Sequence, residues 1–297
     1  MVGDVSSKVK SMRKKKVKII ISSLILVVLG WIMVGYILSW YLTSRRNQIS
    51  KRVVFQLPKK EILVTTEDGI SISGWFIKGE KDTVVILLAG IGANRFSLIN
   101  KAKLYYHKGF SILMPDLRAT GKSKGDIISF GWNERKDLKA CYEYLNNQGY
   151  KHIAAHGTSL GAATIVYSMQ ENLNFRFIVL ESCYDNIDHA FNNRVSKYQL
   201  PDVAYLPVRY FTQLRINENL RNLNPLNFIQ RISCPVLIMA GDSEDQLKLI
   251  ETEALFHTCG SQHKNLHIFK GGKHEDFLKR FPTEYNNVLD YFLSQNH

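Results

Sequence analysis

The chain has 297 residues, enough for one large α/β domain or two small ones, and a hydrophobic share of 45% allows a sizeable core. Its net charge of +13 is confined to one end: residues 1–60 carry 13 Lys/Arg against a single acid, Asp4, whereas the rest carries 26 Lys/Arg and 25 Asp/Glu. A nucleic-acid-binding protein carries its basic surface on the folded domain, so this near-neutral body excludes that class of partner.

Residues 1–18 form a basic tail with Lys8, Lys10, Arg13, Lys14, Lys15, Lys16 and Lys18. Residues 19–42, Ile19 to Leu42, follow without a charge. As a helix they span about 36 Å, enough to cross a bilayer with some tilt. A cleaved signal peptide has a shorter apolar region and a small-residue cleavage site, which this stretch lacks. Trp40 and Tyr41 stand at its exit, where aromatic rings favour the membrane interface. The expectation is a single-pass anchor that engages the bilayer through residues 19–42. The tighter basic cluster precedes the span, although Arg45, Arg46, Lys51 and Arg52 follow it. That bias predicts an N-inside orientation with the body extracytoplasmic.

Residues 43–60 read as a basic linker, and a globular domain is expected over 61–297. Ile62-Leu63-Val64, a turn at Thr66-Glu67-Asp68-Gly69, and the alternation of Ile70, Ile72, Gly74 and Phe76 with Ser71, Ser73 and Trp75 predict a β-hairpin. Val84–Ala89 is a continuous apolar run, as in a strand buried on both faces. A helix is expected near Arg95–His107, a buried strand at Ser111–Met114, and a helix near Asn133–Asn146 with Leu138, Cys141, Tyr142 and Leu145 on one stripe. Strands follow at 152–157 and Phe177–Leu180, with a helix after Ser159 between them. Residues 184–232, aromatic and containing Pro201, Pro207 and Pro225, break the rhythm and read as a cap insertion. A strand at Val236–Ala240, a helix near Leu247–His257, a strand at Leu266–Phe269 and a helix after Pro282 complete the pattern. The order predicts a mostly parallel sheet wrapped by helices.

Gly157-Thr158-Ser159-Leu160-Gly161 lies between a predicted strand and a predicted helix. In that context Gly-x-Ser-x-Gly is a sharp turn presenting one serine hydroxyl at the end of a sheet. The glycines Gly157 and Gly161 leave room where a Cβ would collide. A serine hydroxyl needs a base, an imidazole supplies one near neutral pH, and a carboxylate behind it fixes the tautomer. The last two strands end at Asp242-Ser243-Glu244-Asp245 and at Gly271-Gly272-Lys273-His274. Nucleophile, acid and base in that chain order, at strand ends, suit this topology, with Ser159 and His274 as the outer members. The amides of Leu160 and Ile91 are the expected oxyanion donors.

Residues 61–297 resemble the α/β-hydrolase family, in particular bacterial membrane-anchored serine hydrolases of esterase or acyl-hydrolase type. Leu88-Ala89-Gly90-Ile91-Gly92-Ala93-Asn94 is similar to the family's oxyanion loop, and Asp116-Leu117-Arg118-Ala119-Thr120-Gly121-Lys122-Ser123 to its turn after the next strand. Phe130-Gly131 through Glu134 and Asp137 is similar to the segment before the elbow. Leu180-Glu181-Ser182 is similar to the strand end before the cap, and Asn224-Pro225-Leu226 through Cys234-Pro235-Val236 to the return from it. The resemblance implies an α/β-hydrolase fold and a Ser-His-acid triad. Its spacing puts the acid at Glu244, with Asp245 the alternative and Asp242 or Asp185 behind them. Ala89 stands where the family has His, and Ala119 where it has Gly; both bear on loop geometry and substrate range.

The other histidines have structural readings: His107, His152 and His267 at element positions, His156 as a packed strand residue, and His257 and His263 in solvent. His189, in the cap, is a possible substrate contact. Cys141, Cys183, Cys234 and Cys259 show no paired metal-ligand spacing, and Cys141 and Cys259 read as helix positions that pack as small apolar residues. Neither metal nor cofactor is expected. The chemistry implied is cleavage of a small-molecule or lipid-like ester or thioester through an acyl-enzyme. The alternatives are a catalytically silent binding domain at the membrane, or a serine peptidase or amidase of the same fold.

Overall fold

The computed structural model describes residues 2–46 and 55–296. Lys51, Arg52 and the middle of the expected linker lie outside the described residues. In chain order the elements are α1 Val2–Thr43, β1 Lys60–Thr65, β2 Ser71–Ile77, β3 Thr83–Leu88, α2 Ile99–His107, β4 Ser111–Pro115, α3 Glu134–Asn147, β5 His152–Thr158, α4 Leu160–Ser168 and β6 Ile178–Glu181. Then come α5 Ile187–Val195, α6 Leu206–Ile216, α7 Leu226–Ile229, β7 Val236–Gly241, α8 Leu249–Thr258, β8 Lys264–Phe269, α9 Phe277–Arg280 and α10 Pro282–Gln295.

The eight strands form one sheet in the order β1-β2-β4-β3-β5-β6-β7-β8. β1 and β2 pair antiparallel, as do β2 and β4; the remaining neighbours are parallel. Burial follows composition. β4, β6 and β7 are buried along their whole length, as continuous apolar runs between two helical layers must be. β1, at the sheet edge, alternates buried and exposed residues near its end. Val85, Leu87, Ala154, Val179, Leu237 and Met239 share one core face with residues of α2 and α10, including Tyr105, Tyr285 and Leu289. Their neighbours point to the opposite face because strand side chains alternate.

Three local differences from the sequence expectation have physical causes. The first turn of the 95–107 helix is a 3-10 turn, Arg95–Leu98, in which Asn94 Oδ1 accepts from Phe96 N–H and Asp116 accepts from Arg95 N–H. Cys259 lies just beyond α8 rather than within it. The chain turns there because Gly260 passes against the Gln230 carbonyl, so closely that a Cβ would lie 2.0 Å from it. Trp75, on the polar side of the hairpin pattern, is buried: Phe55 stacks on it at 5.4 Å and Phe96 packs edge-on.

The chain divides into two compact units, one of α1 with residues 200–218 and one of 44–199 with 219–297. In the first, α6 runs along α1. In the second, the segment after α1 pairs with the domain: Ser44 and Arg46 bridge to Ile127 and Thr120. Between β6 and β7 the chain leaves the sheet to form α5, α6 and α7. Residues Lys10–Thr43 of α1 are long and apolar enough to cross a membrane, with a window of mean hydropathy 2.5.

Candidate active site

The turn from β5 into α4 is held by sterics. A Cβ on Gly157 would lie 2.3 Å from the Gly161 carbonyl carbon, and a Cβ on Gly161 would lie 2.5 Å from the Leu88 carbonyl oxygen. Both positions therefore demand glycine. The tight approach forces Ser159 to φ +53°, ψ −114°, a region that costs a non-glycine residue of order 1–3 kcal/mol. The neighbouring strand helps to hold it, since Ser159 N–H donates to the Glu181 carbonyl at 2.8 Å and Ala163 N–H to the Ser159 carbonyl at 3.0 Å. Strained backbone thus puts the Ser159 hydroxyl at the carboxyl end of the sheet.

His274 comes from the loop after β8. That loop is fastened by Asp242, whose Oδ1 accepts from Gly271 N–H at 2.7 Å, and by Gly272 N–H donating to the Phe269 carbonyl at 3.0 Å. His274 Nε2 lies 3.2 Å from Ser159 Oγ, and its Nδ1 lies 2.7 Å from Glu244 Oε2. Glu244 is buried after β7, and its other oxygen accepts from Ser182 Oγ at 2.7 Å and Gly241 N–H at 2.9 Å. An ionised carboxylate can only accept, so His274 Nδ1 carries the proton facing Glu244. That leaves the Nε2 lone pair towards the Ser159 hydroxyl, which donates to it. The structure thus brings together Ser159, His274 and Glu244. It does not bring Asp245 to the histidine: that side chain is exposed. Asp242 serves the loop instead, and Asp185 binds Asn186 N–H and His189 Nδ1.

The expected oxyanion loop abuts the serine. A Cβ on Gly90 would lie 3.5 Å from Ser159 Cβ, and Gly90, Ile91 and Leu160 line one small concavity together with Leu117, Thr120 and Ile128. The turn after β4 is held by Asp116, which accepts from Arg95 N–H and Lys122 N–H and pairs with the Arg95 guanidinium at 2.8 Å. Ala119, where the resemblance implied glycine, sits at φ +59°, the left-handed backbone region that favours glycine.

A buried polar cluster lies next to the elbow. Glu181 accepts from Thr158 Oγ1 at 3.1 Å, pairs with Lys101 at 2.9 Å and His156 Nε2 at 2.7 Å, and also takes the Tyr285 hydroxyl. Tyr105 OH reaches His156 Nδ1 at 3.0 Å. Burial alone would raise the Glu181 carboxyl, but Lys101, His156 and Tyr285 outweigh it and hold it well below the usual carboxylate range. Burial pulls the His156 imidazole below its ordinary value, against the attraction of Glu181. The neutral ring then donates from Nε2 and accepts from Tyr105 at Nδ1. The sequence marked His156 only as a packed residue and Glu181 only as a motif position. The available signal was an acid and a histidine on neighbouring strands, each within three residues of the elbow serine or its strand partner.

In the cap, Tyr184 is buried, with its hydroxyl donating to the Phe130 carbonyl at 2.6 Å. Trp132, Tyr167 and Phe228 pack edge-on against one another. Ligand atoms of Asp185, His189 and Glu251 lie within 4.8 Å of one another, but Asp185 and Glu251 already accept hydrogen bonds, Glu251 from Asn193 and from the Lys248 amide. The Lys248 bond caps α8, the Asn193 bond joins α5 to α8, and His189 Nδ1 lies 2.7 Å from Asp185 Oδ2.

The comparisons agree with this architecture. The chain is similar to the uncharacterized protein YqkD of Bacillus subtilis, at 25% identity over 80% of each chain. It is also similar to an uncharacterized membrane protein of Saccharomyces cerevisiae, at 23% identity over 78% of this chain and 79% of that one. An uncharacterized peptidase of Bacillus subtilis, YuxL, matches at 21% identity over 83% of this chain but 38% of its own length. Among solved structures, an esterase of Pyrococcus furiosus superposes with a TM-score of 0.73 at 24% identity, covering 85% of this chain and 98% of that one. The model of the prolyl oligopeptidase family matches residues 95–296, from the 3-10 turn at Arg95 through the elbow to α10. With that match over most of its length and an α/β-hydrolase fold beneath it, the chain belongs to the prolyl oligopeptidase family of hydrolases.

Proposed function

We propose that this protein is a membrane-anchored serine hydrolase that cleaves esters or thioesters by acyl transfer to Ser159 and then to water. The observation that carries the reading is the line of contacts Ser159 Oγ, His274 Nε2, His274 Nδ1 and Glu244 Oε2, at 3.2 and 2.7 Å. In the first step His274 takes the hydroxyl proton as Ser159 Oγ bonds to the substrate carbonyl carbon. The resulting oxyanion is met by the amides of Ile91 and Leu160, which are worth roughly 10²–10³-fold each in comparable sites. Collapse breaks the bond to the leaving oxygen or sulfur, and His274 returns the proton to it. Water, activated by the same imidazole, then releases the acid. Glu244 holds the tautomer and offsets the charge on the imidazolium.

The anchor is α1, crossing the bilayer through residues 19–42 with the basic tail inside and the hydrolase body outside. The length and hydropathy of the helix support the crossing, and the weight of positive charge before it supports the orientation. Protease added to intact cells should digest the body; its complete protection would overturn the orientation.

A fluorophosphonate probe tests the chemistry. Full-length wild type should label and hydrolyse short p-nitrophenyl esters, and Ser159→Ala should do neither. Folded wild type that fails both would mark a silent binding domain. A second reading, cleavage of peptide amides, draws on the family match and on the peptidase-named relative. Against it, that relative is matched over 38% of its length, while the archaeal esterase is covered over 98% of its chain. Faster turnover of peptide anilides than of esters would favour the peptidase reading.

A further inference from the structure

The pairing of α1 with α6 has the chemistry of helices packed in lipid. Its contact face on α1 is a stripe of small residues at four-residue spacing, Gly35, Ser39 and Thr43. Gly35 lets Pro207 and Val208 come so close that a Cβ there would lie 2.3 Å from Pro207 Cβ. Polar bonds cross the seam: Thr212 Oγ1 to Ser39 Oγ at 3.2 Å, Arg215 Nε to Thr43 Oγ1 at 2.7 Å, and Trp31 Nε1 to the Ala204 carbonyl at 2.9 Å. Tyr36 packs edge-on against Phe211.

The outward faces of this unit are apolar. Val203, Leu206, Tyr210 and Leu214 follow helical spacing on one side of the 203–214 segment, and each is more than half exposed. On α1, Met33, Tyr36, Ile37, Trp40 and Tyr41 are exposed over the same stretch. A helix pair in water buries its large apolar residues and turns small and polar ones outward. Here the α1 side of the seam carries Gly, Ser and Thr, and the outside of the pair carries Leu, Tyr, Trp and Ile. A contiguous apolar surface of this kind on a folded protein marks an interaction site.

We infer that the 203–214 segment is a second membrane-contacting element, lying in the interfacial layer of the bilayer beside the exit end of α1. The inference rests on the proposal that α1 spans the membrane. The contact pairs place α6 parallel to α1, since Gly35, Ser39 and Thr43 meet Pro207, Thr212 and Arg215 in turn. A hydrocarbon core takes about twenty helical residues. Counted from Ile19, these reach Leu38, so Ser39 and Thr43 hold Thr212 and Arg215 beyond the hydrocarbon boundary, while Trp31 and Gly35 hold the start of the segment at its outer edge. Tyr36, Trp40 and Tyr41 match the aromatic belt found at that depth. Asp202 and Arg209 bar the segment from the bilayer centre but are compatible with headgroups. Leu206 is then the deeper end of the stripe and Leu214 the shallower. The occupant is lipid, because the exposed stripe runs beside the exposed apolar face of the anchor itself.

Spin labels on the full chain in phospholipid vesicles test this. Cys141, Cys183, Cys234 and Cys259 are replaced by alanine, fluorophosphonate labelling verifies the fold, and single cysteines are placed at Leu206, Tyr210 and Leu214. Leu26→Cys reports on the anchor and Leu63→Cys on a solvent position. Oxygen partitions into lipid, and a neutral nickel chelate stays in water. The expected result is oxygen-dominated relaxation at 206 and 210, as at 26, with the ratio falling towards 214, and nickel-dominated relaxation at 63. Nickel access at 206 and 210 equal to that at 63 would overturn the inference while 26 still reported an intact anchor. Nickel access at 26 as well would overturn the anchor reading first. Exclusion of both reagents at 206, 210 and 214 would mean that protein, such as a second copy of the chain, covers the stripe, and would also overturn the inference.

Discussion

Replacing Glu244 by glutamine isolates the acid from its competitors, because the substitution keeps shape and removes only the second acceptor. Glu244 Oε1 accepts from the Gly241 amide and from Ser182, and Oε2 accepts from His274. The Gly241 N–H is a fixed backbone donor, so a glutamine must place its carbonyl oxygen there. Its NH₂ is then forced towards His274 Nδ1, which has to become an acceptor. The imidazole proton moves to Nε2, facing Ser159, and the base that should take the hydroxyl proton is gone. Carboxylate-to-amide changes in such triads lower kcat about 10⁴-fold through this tautomer effect. That factor corresponds to about 5.4 kcal/mol. Turnover of a short p-nitrophenyl ester, with thermal unfolding as a check on the fold, is the assay. Glu244→Gln should lose kcat with KM and the unfolding midpoint little changed, and Asp245→Asn should remain within about twofold of wild type, as an exposed carboxylate with no role in the relay. Glu244→Gln with more than a tenth of wild-type kcat, or Asp245→Asn with the large loss, would refute the argument.

Three further outcomes follow from packing and charge. Gly161→Ala should lower stability by about 1–3 kcal/mol through overpacking, because its Cβ would sit 2.5 Å from the Leu88 carbonyl and displace the elbow; ester turnover should fall at least about 100-fold, and wild-type activity in a folded variant would disprove the steric account. The thermal midpoint should drop as pH is lowered past about 6.5, the ordinary value of His156, because the unfolded chain then binds a proton that the buried neutral ring refuses; Glu181, held low in the fold, adds its loss further down, below its ordinary value of 4.5. His156→Gln should flatten the upper limb of that profile, and a midpoint that rises on acidification from pH 7.5 to 5.5 would contradict it. Ser39→Cys with Thr212→Cys, at positions whose hydroxyls are 3.2 Å apart, should form a disulfide under mild oxidation; adding Gly35→Ile should suppress it by pushing Pro207 off α1, and unchanged cross-linking would show that the glycine contact does not set the pairing.

Local chemistry made much of this protein readable from its residues. Uninterrupted apolar runs such as Val84–Leu88 and Val236–Ala240, short and with β-branched residues, are read as strands covered on both faces. Glycines flanking a serine between a strand and a helix identify the elbow, because the steric demand is local and leaves no other residue at Gly157 or Gly161. The uncharged stretch 19–42 likewise declares itself by length and composition alone. Three-dimensional proximity had to come from the fold. Glu244 and Asp245 are adjacent and chemically near-equivalent in the chain; only the path out of β7, with Gly241 and Ser182 gripping one carboxylate oxygen, turns Glu244 towards His274 and leaves Asp245 in solvent. The cluster of His156, Glu181, Lys101, Tyr105 and Tyr285 joins residues up to 184 positions apart, from Lys101 to Tyr285, and no local pattern announces it. The same holds for the pairing of Gly35 with Pro207: the small-residue stripe on α1 was written in the sequence, but its partner helix lies some 170 residues downstream, where the cap looked like an aromatic insertion. Periodicity and sterics act between neighbours in the chain and can be read there, whereas the choice between equivalent donors and acceptors is made by distance in space.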